Sequence, residues 1–279
     1  MEIYTTVSEI STFVSDKSHK TIGFVPTMGE LHGGHMSLVK LSKQENDITV
    51  CSIFVNPTQF DNKSDLERYP RNTVSDIEKL NEAKCDVLFL PSVLEIYPQG
   101  DKLESIYLNG LDRVMEGAFR GAHFKGVATV VKRLFDIIPA NNAYFGKKDY
   151  QQLLIVKHLV KVYGLNTNIV GCETVRDPNG LALSSRNKLL SKQHKEKAGF
   201  IYKTLKTASD MLKRCSLSNT KKWVESQFDK EYFRLEYFEV AEKNTLEIAS
   251  EIEKDKKYRL FIALFVGEVR LIDNIPLQN

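Results

Sequence analysis

Apolar residues fall into short runs separated by amphipathic stretches along the first two-thirds of the chain. TIGFVPTM (residues 21–28) is an apolar run closed by Pro26 and Gly29 and predicts a buried strand. A helix is expected over 35–44, and ITVCSIFVN (48–56), rich in β-branched residues, predicts a second strand. A polar loop leads to a helix over 73–84 and a third strand at DVLFLP (86–91). Val127, Val130, Val131, Leu134, Phe135 and Ile138 form one helical stripe that Pro139 ends. NAYFG (142–146) then predicts a strand, and 149–164 a helix with Asp149 at its N-cap and Gly164 at its C-cap. NTNIVGCETV (166–175) predicts one strand more.

Alternation of this kind calls for a mostly parallel sheet with helices on both faces, a Rossmann-like α/β domain over residues 1–174. The pattern then changes. Residues 191–214 predict one long Lys-rich helix and 218–230 a second. Strands follow at RLEYFEVAE (234–242), RLFIALFVG (259–267) and VRLIDNI (269–275). Helices first and strands later imply a smaller α+β C-terminal domain over 175–279.

Composition narrows the function classes. The 279 residues carry 39 Lys+Arg against 36 Asp+Glu, a net charge of +3 with the basic residues dispersed, which argues against nucleic acid as a partner. No apolar run approaches the roughly 18 residues that span a bilayer, and the first residues, MEIYTTVSEI, lack the features of a secretory signal. Cys51, Cys85, Cys172 and Cys215 are scattered without metal-ligand spacing. The expectation is a cytoplasmic protein with reduced thiols and no membrane partner.

Three clusters carry candidate chemistry. PTMGELHGGHMSL (26–38) stands where a strand gives way to a helix and contains His32-Gly33-Gly34-His35. Free N–H groups and a partial positive charge make a helix N-terminus suited to phosphate. Glycines let the backbone approach, and two imidazoles can donate to oxygens that gain charge in phosphoryl or nucleotidyl transfer. In YFGKKDYQQL (144–153), Lys148 stands at a strand-to-helix switch beside Asp149 and Gln152, where α/β sheets bind ligands. Ser184-Ser185-Arg186-Asn187 follows Pro178-Asn179-Gly180 and forms a hydroxyl-and-guanidinium loop suited to clamping an anion.

With SIFVNPTQF (52–60), YPR (69–71), HFKGVATVV (123–131) and VRDPNGLALSSRN (175–187) in order, the sequence resembles the HxGH nucleotidyltransferases and, more closely, the pantothenate synthetase family. The resemblance covers about residues 21–190. It implies an ATP-dependent ligase that joins pantoate to β-alanine through a pantoyl-adenylate, in pantothenate biosynthesis. Catalytic roles fall on His32, His35, Lys148 and Arg186. ATP contacts fall on Met28, His35, Gly146, Lys148, Asp149, Val175, Leu183, Ser184, Ser185 and Arg186, Leu183 standing where the family usually has Met. Pantoate contacts fall on Met28, Gln59 and Gln152, with Phe60, Val130 and Val131 as an apolar wall. Neutral amides suit that task, because a carboxylate that must attack phosphorus stays nucleophilic when no cation neutralises it.

The family commonly carries two adjacent acidic residues after YPR; here Ser75 takes the first place and Asp76 is the one candidate magnesium ligand. Magnesium is otherwise expected on the ATP phosphates and water. ATP with Mg²⁺ is thus a substrate, no tightly bound organic cofactor is implied, and the family resemblance implies a homodimer. Two rivals remain. A nucleotidyltransferase for a phosphate-bearing acceptor would want basic residues in place of Gln59 and Gln152, and a non-catalytic nucleotide-binding module would not need both histidines with Lys148 and Arg186.

Overall fold

A computed structural model describes residues 1–228 and 231–278. The chain divides into two compact units, the first made of Met1–Lys147 and Gln151–Glu173, the second of Lys148–Tyr150 and Thr174–Asn279.

In the first unit β1 (Glu2–Tyr4), β2 (Ile22–Thr27), β3 (Ile48–Ile53), β4 (Val87–Phe89), β5 (Asn142–Gly146) and β6 (Asn168–Cys172) form a six-stranded sheet in the order β1-β4-β3-β2-β5-β6. Every pairing is parallel. All six side chains of β3 are buried, as befits a strand covered on both faces. From β2 the chain steps outward through β3 and β4, and from β5 it steps the other way to β6. The order therefore reverses between β2 and β5, which pair through Gly23 with Asn142 and Phe24 with Ala143. Ligands of open α/β sheets bind beyond the carboxyl ends of the strands at such a reversal.

Several short elements lack an expectation in the apolar pattern, among them the helices Lys63–Arg68, Val93–Ile96 and Glu116–Phe119, the strand β1 and the first helix. β1 is three residues long and largely exposed, so no apolar run marks it. The helix Val7–Asp16 opens on a Thr6/Glu9 capping box, a signal that is written in the sequence. A 3₁₀ turn, Lys147–Asp149, runs directly into the helix Tyr150–Tyr163, so Asp149 stands immediately before that helix. Gly164 closes that helix, with φ +61° and the Leu165 N–H bonded to the Val160 carbonyl.

The second unit holds an antiparallel sheet in the order β7 (Phe233–Glu242), β8 (Tyr258–Val266) and β9 (Val269–Pro276). Leu260, Ile262, Leu264 and Val266 of β8 are fully buried in its core with Leu205 and Ala208, each large side chain contributing roughly 1.5–3 kcal/mol of transfer free energy. The single helix expected over 191–214 is two, Lys192–Ala198 and Phe200–Met211. Asn179 breaks it: its Nδ2 donates to the Lys195 and Glu196 carbonyls at 2.9 and 3.4 Å. The Asn179 backbone also packs so closely on Gly199 that a Cβ there would stand 2.4 Å from its carbonyl oxygen. The next helix spans Leu217–Gln227; residues 229 and 230 of the expected 218–230 element lie outside the described residues.

Candidate active site

The loop leaving β2 turns sharply at Gly29 (φ +80°) and Glu30 (φ +50°). Asp76, on the helix Thr73–Glu82 and 1% exposed, braces this turn. Its Oδ2 accepts the Glu30 N–H at 2.8 Å and its Oδ1 the Leu31 N–H at 2.7 Å. The chain then enters the helix Gly33–Glu45, which His32 caps. The His32 Nδ1 accepts the Gly34 N–H at 3.1 Å, and the His35 Nδ1 accepts the His32 N–H at 3.3 Å. The two rings lie 4.0 Å apart, centroid to centroid. A backbone N–H can only donate, so both Nδ1 atoms are acceptors and each neutral ring carries its proton on Nε2. The cap thus presets the histidines as Nε2–H donors at the positive end of a helix.

Gln59, 7% exposed, ends the turn Pro57–Gln59. Its Nε2 reaches the Met28 sulfur at 2.7 Å, and its Oε1 accepts from Asn56 Nδ2 at 3.2 Å. Asn56 is oriented in turn by the Tyr97 hydroxyl, which donates to its Oδ1 at 2.7 Å. Burial pushes the Tyr97 phenol above its ordinary range, against a smaller opposing effect of the Thr58 hydrogen bond, so it stays a donor. His123 adds a further hold, its Nδ1 lying 2.8 Å from the Gln59 carbonyl oxygen. The helix His123–Ile137 packs so tightly on this turn that a Cβ at Gly126 would stand 2.2 Å from the Thr58 carbonyl oxygen and 2.7 Å from the Gln59 nitrogen. Val130 and Val131 are buried in the same helix, and the Phe60 ring packs edge-on against Tyr69 at 5.6 Å.

Gly146 ends β5, beside β2, and a Cβ there would meet open space. Gln152 is half-buried on the helix Tyr150–Tyr163. Its neighbour Gln151 is structural: it is 4% exposed, donates to the Leu111 and Val114 carbonyls and accepts the Glu116 N–H. The first unit thus brings Met28 to Gln59 and stacks His32 on His35, with Gly146 on the strand adjoining β2.

The remaining residues belong to the second unit. Lys148 Nζ lies 3.5 Å from the Asp149 carboxylate. A turn closed by Gly180 (φ +97°) sets Val175 opposite Leu183, whose N–H bonds the Val175 carbonyl at 3.0 Å. Ser184 caps the 3₁₀ helix Ser185–Leu189 by accepting the Arg186 N–H, and the Asn187 Nδ2 ties the loop to the Ala182 carbonyl at 2.9 Å. Val175, Leu183, Ser184, Ser185 and Arg186 therefore share one hairpin-and-loop frame. The sequence offers no role for Asn56, Tyr97 and His123, although an Asn before Pro57 is a turn signal.

Among the described residues, no group of three or more His, Cys, Asp or Glu side chains is placed to hold a metal ion. Asp76 has both oxygens engaged by backbone N–H groups.

A parallel sheet with a histidine-capped helix at its order reversal, in a chain that also carries a lysine and a Ser-Ser-Arg loop, defines an α/β nucleotide-binding enzyme. The family model for pantoate-β-alanine ligase matches residues 2–276, and the chain belongs to that family. It is a ligase of pantothenate biosynthesis. It is 49% identical over 264 residues to the pantothenate synthetase of Christiangramia forsetii, covering 93% of each chain, and 46% identical to that of Flavobacterium psychrophilum over the whole of both. Pantothenate synthetase from Thermus thermophilus superposes with a TM-score of 0.92 at 39% identity, covering all of both chains. The Francisella tularensis pantoate-β-alanine ligase, solved with β-γ ATP and β-alanine, gives 0.82 at 38% identity, covering 100% of this chain and 98% of that one.

Proposed function

We propose that the enzyme condenses pantoate with β-alanine in two steps, with ATP as the activating substrate. A pantoate carboxylate oxygen attacks the α-phosphorus of ATP, the bond to the β-phosphate oxygen breaks, and pyrophosphate leaves. The β-alanine amine then attacks the acyl carbon of the pantoyl-adenylate, the acyl C–O bond breaks and AMP departs. The amine sheds a proton to form the amide of pantothenate; no residue is assigned as its base.

His32 and His35 donate through Nε2–H to phosphate oxygens as charge develops, and Lys148 adds a point charge. Ser184, Ser185 and Arg186 hold the departing pyrophosphate. Gly146 and Asp149 hold the ribose, and Val175, Leu183 and Met28 contact nucleotide or pantoate through backbone. Gln59 and Gln152 orient the pantoate carboxylate and hydroxyl, with Phe60, Val130 and Val131 against its methyl groups. Magnesium travels on the ATP phosphates, and Asp76 serves as a loop brace.

The observation that carries this reading is the paired Nδ1 acceptance of His32 and His35, which supports two preset donors on the same loop as Met28. The F. tularensis relative solved with β-γ ATP and β-alanine supports these two substrates. Pyrophosphate exchange into ATP should require pantoate and proceed without β-alanine. Exchange that needs β-alanine, or that runs without pantoate, would rule out the adenylate scheme.

A cytoplasmic location is also proposed: Cys51, Cys85 and Cys172 are buried free thiols and Cys215 an exposed one, which suits a reducing compartment. Family membership supports a homodimer, and sedimentation at micromolar concentration tests it.

A further inference from the structure

The tripeptide Lys148–Tyr150 belongs to the second unit although the chain on both sides of it belongs to the first. Side chains from β8 and β9 hold it there. Asn274 donates from Nδ2 to the Lys148 carbonyl oxygen at 2.7 Å. The Asn274 Oδ1 accepts from Arg259, at 2.9 Å from Nε and 2.5 Å from an Nη. A guanidinium can only donate, so Oδ1 must face Arg259 and the amide NH₂ must face Lys148. Arg259 is 6% exposed and Asn274 3%, so neither is an idle surface contact. The Arg259 guanidinium also lies over the Tyr150 ring, 4.1 Å from its centroid, and Phe261 packs against that ring at 6.1 Å. Arg259 thus touches the tripeptide at one end and fixes the amide that grips the other.

We infer that Asn274 is a positioning residue for Lys148, with Arg259 fixing the orientation of its amide. The clasp sets the backbone from which the Lys148 ammonium reaches phosphate, and it fastens that backbone to the unit that also carries Val175 and the Ser184–Arg186 loop. The inference rests on the proposed phosphate role of Lys148.

Asn274→Asp tests it without removing the Arg259 anchor. One carboxylate oxygen still accepts from the guanidinium, while the other turns an acceptor toward the Lys148 carbonyl. Single-turnover adenylation should slow roughly tenfold or more, the size expected when a buried donor is replaced by an opposed acceptor. The KM for pantoate should stay within about twofold, since no contact proposed for pantoate is lost. In a Lys148→Ala background, Asn274→Asp should have almost no further effect. Arg259→Met frees the amide orientation without touching Lys148; should Asn274→Asp fail to fold, it must show the same slowed step and the same loss of effect beside Lys148→Ala. Wild-type adenylation in the folded Asn274 variant, while Lys148→Ala is crippled, would overturn the clasp. Fully multiplicative effects in the double variant would do the same. Near-normal adenylation by Lys148→Ala alone would remove the assignment on which the clasp depends.

Discussion

Asp76 holds Leu31 by a 2.7 Å hydrogen bond from the Leu31 N–H to its Oδ1, one residue before the histidine that caps the site helix. Its other oxygen holds the Glu30 N–H. Asp76→Asn keeps one acceptor and turns an amide NH₂ toward the second N–H. Each charge-assisted bond contributes roughly 1.5–3 kcal/mol, so the turn should loosen, with a lower Tm and adenylation slowed by about tenfold or more. The Mg²⁺ concentration for half-maximal activity should not move. A raised Mg²⁺ requirement would make Asp76 a metal ligand instead.

The tautomers set by the helix cap give a second expectation. His35→Asn leaves an acceptor near the Nδ1 position but has no group at Nε2. It should therefore fold with a near-normal Tm and adenylate roughly a hundredfold more slowly, the usual size for losing one preorganised donor. Single-turnover rates near wild type would take His35 off the catalytic list.

Gly126→Ala probes the support behind Gln59. The added methyl would stand 2.2 Å from the Thr58 carbonyl oxygen, so the turn or the helix must give way, a strain of about 1–3 kcal/mol. The KM for pantoate should rise by roughly tenfold or more while ATP binding measured alone changes little. Unchanged pantoate kinetics would separate Gln59 from the substrate.

The fold was largely legible because β2, β3, β5 and β8 are buried runs bounded by Pro, Gly or polar turns. β1 escaped because an exposed three-residue edge strand has no apolar signature. The split at Gly199 escaped because its cause, Asn179, lies some twenty residues earlier in the chain. Candidate site residues on short, dense motifs group together in the sequence, but periodicity does not separate Gln151 from Gln152; the proposal of Gln152 rests on the family resemblance. Asp76 shows the limit most clearly. Its acidity was readable, whereas its backbone partners, 45 and 46 residues away, are a product of tertiary structure.

Tyr97 gives a pH dependence. Its phenol is raised above 10.0 by burial, so the folded state favours the protonated form. That contribution to stability is whole below pH 10 and is lost as pH climbs through the folded-state value. Tyr97→Phe should lower Tm at pH 8 and show a shallower decline of Tm above pH 10 than wild type. Parallel declines in the two proteins would mean that Tyr97 does not couple to alkaline unfolding.

The adenylate mechanism leaves a mark on the oxygen atoms. Attack of the pantoate carboxylate on the α-phosphorus, followed by acyl C–O cleavage, moves one carboxylate oxygen into AMP. With pantoate labelled by ¹⁸O in the carboxylate, mass spectrometry of the products should find one labelled oxygen in AMP, one in the pantothenate amide carbonyl and none in pyrophosphate. Label in the pyrophosphate, or AMP without label, would contradict attack at the α-phosphorus.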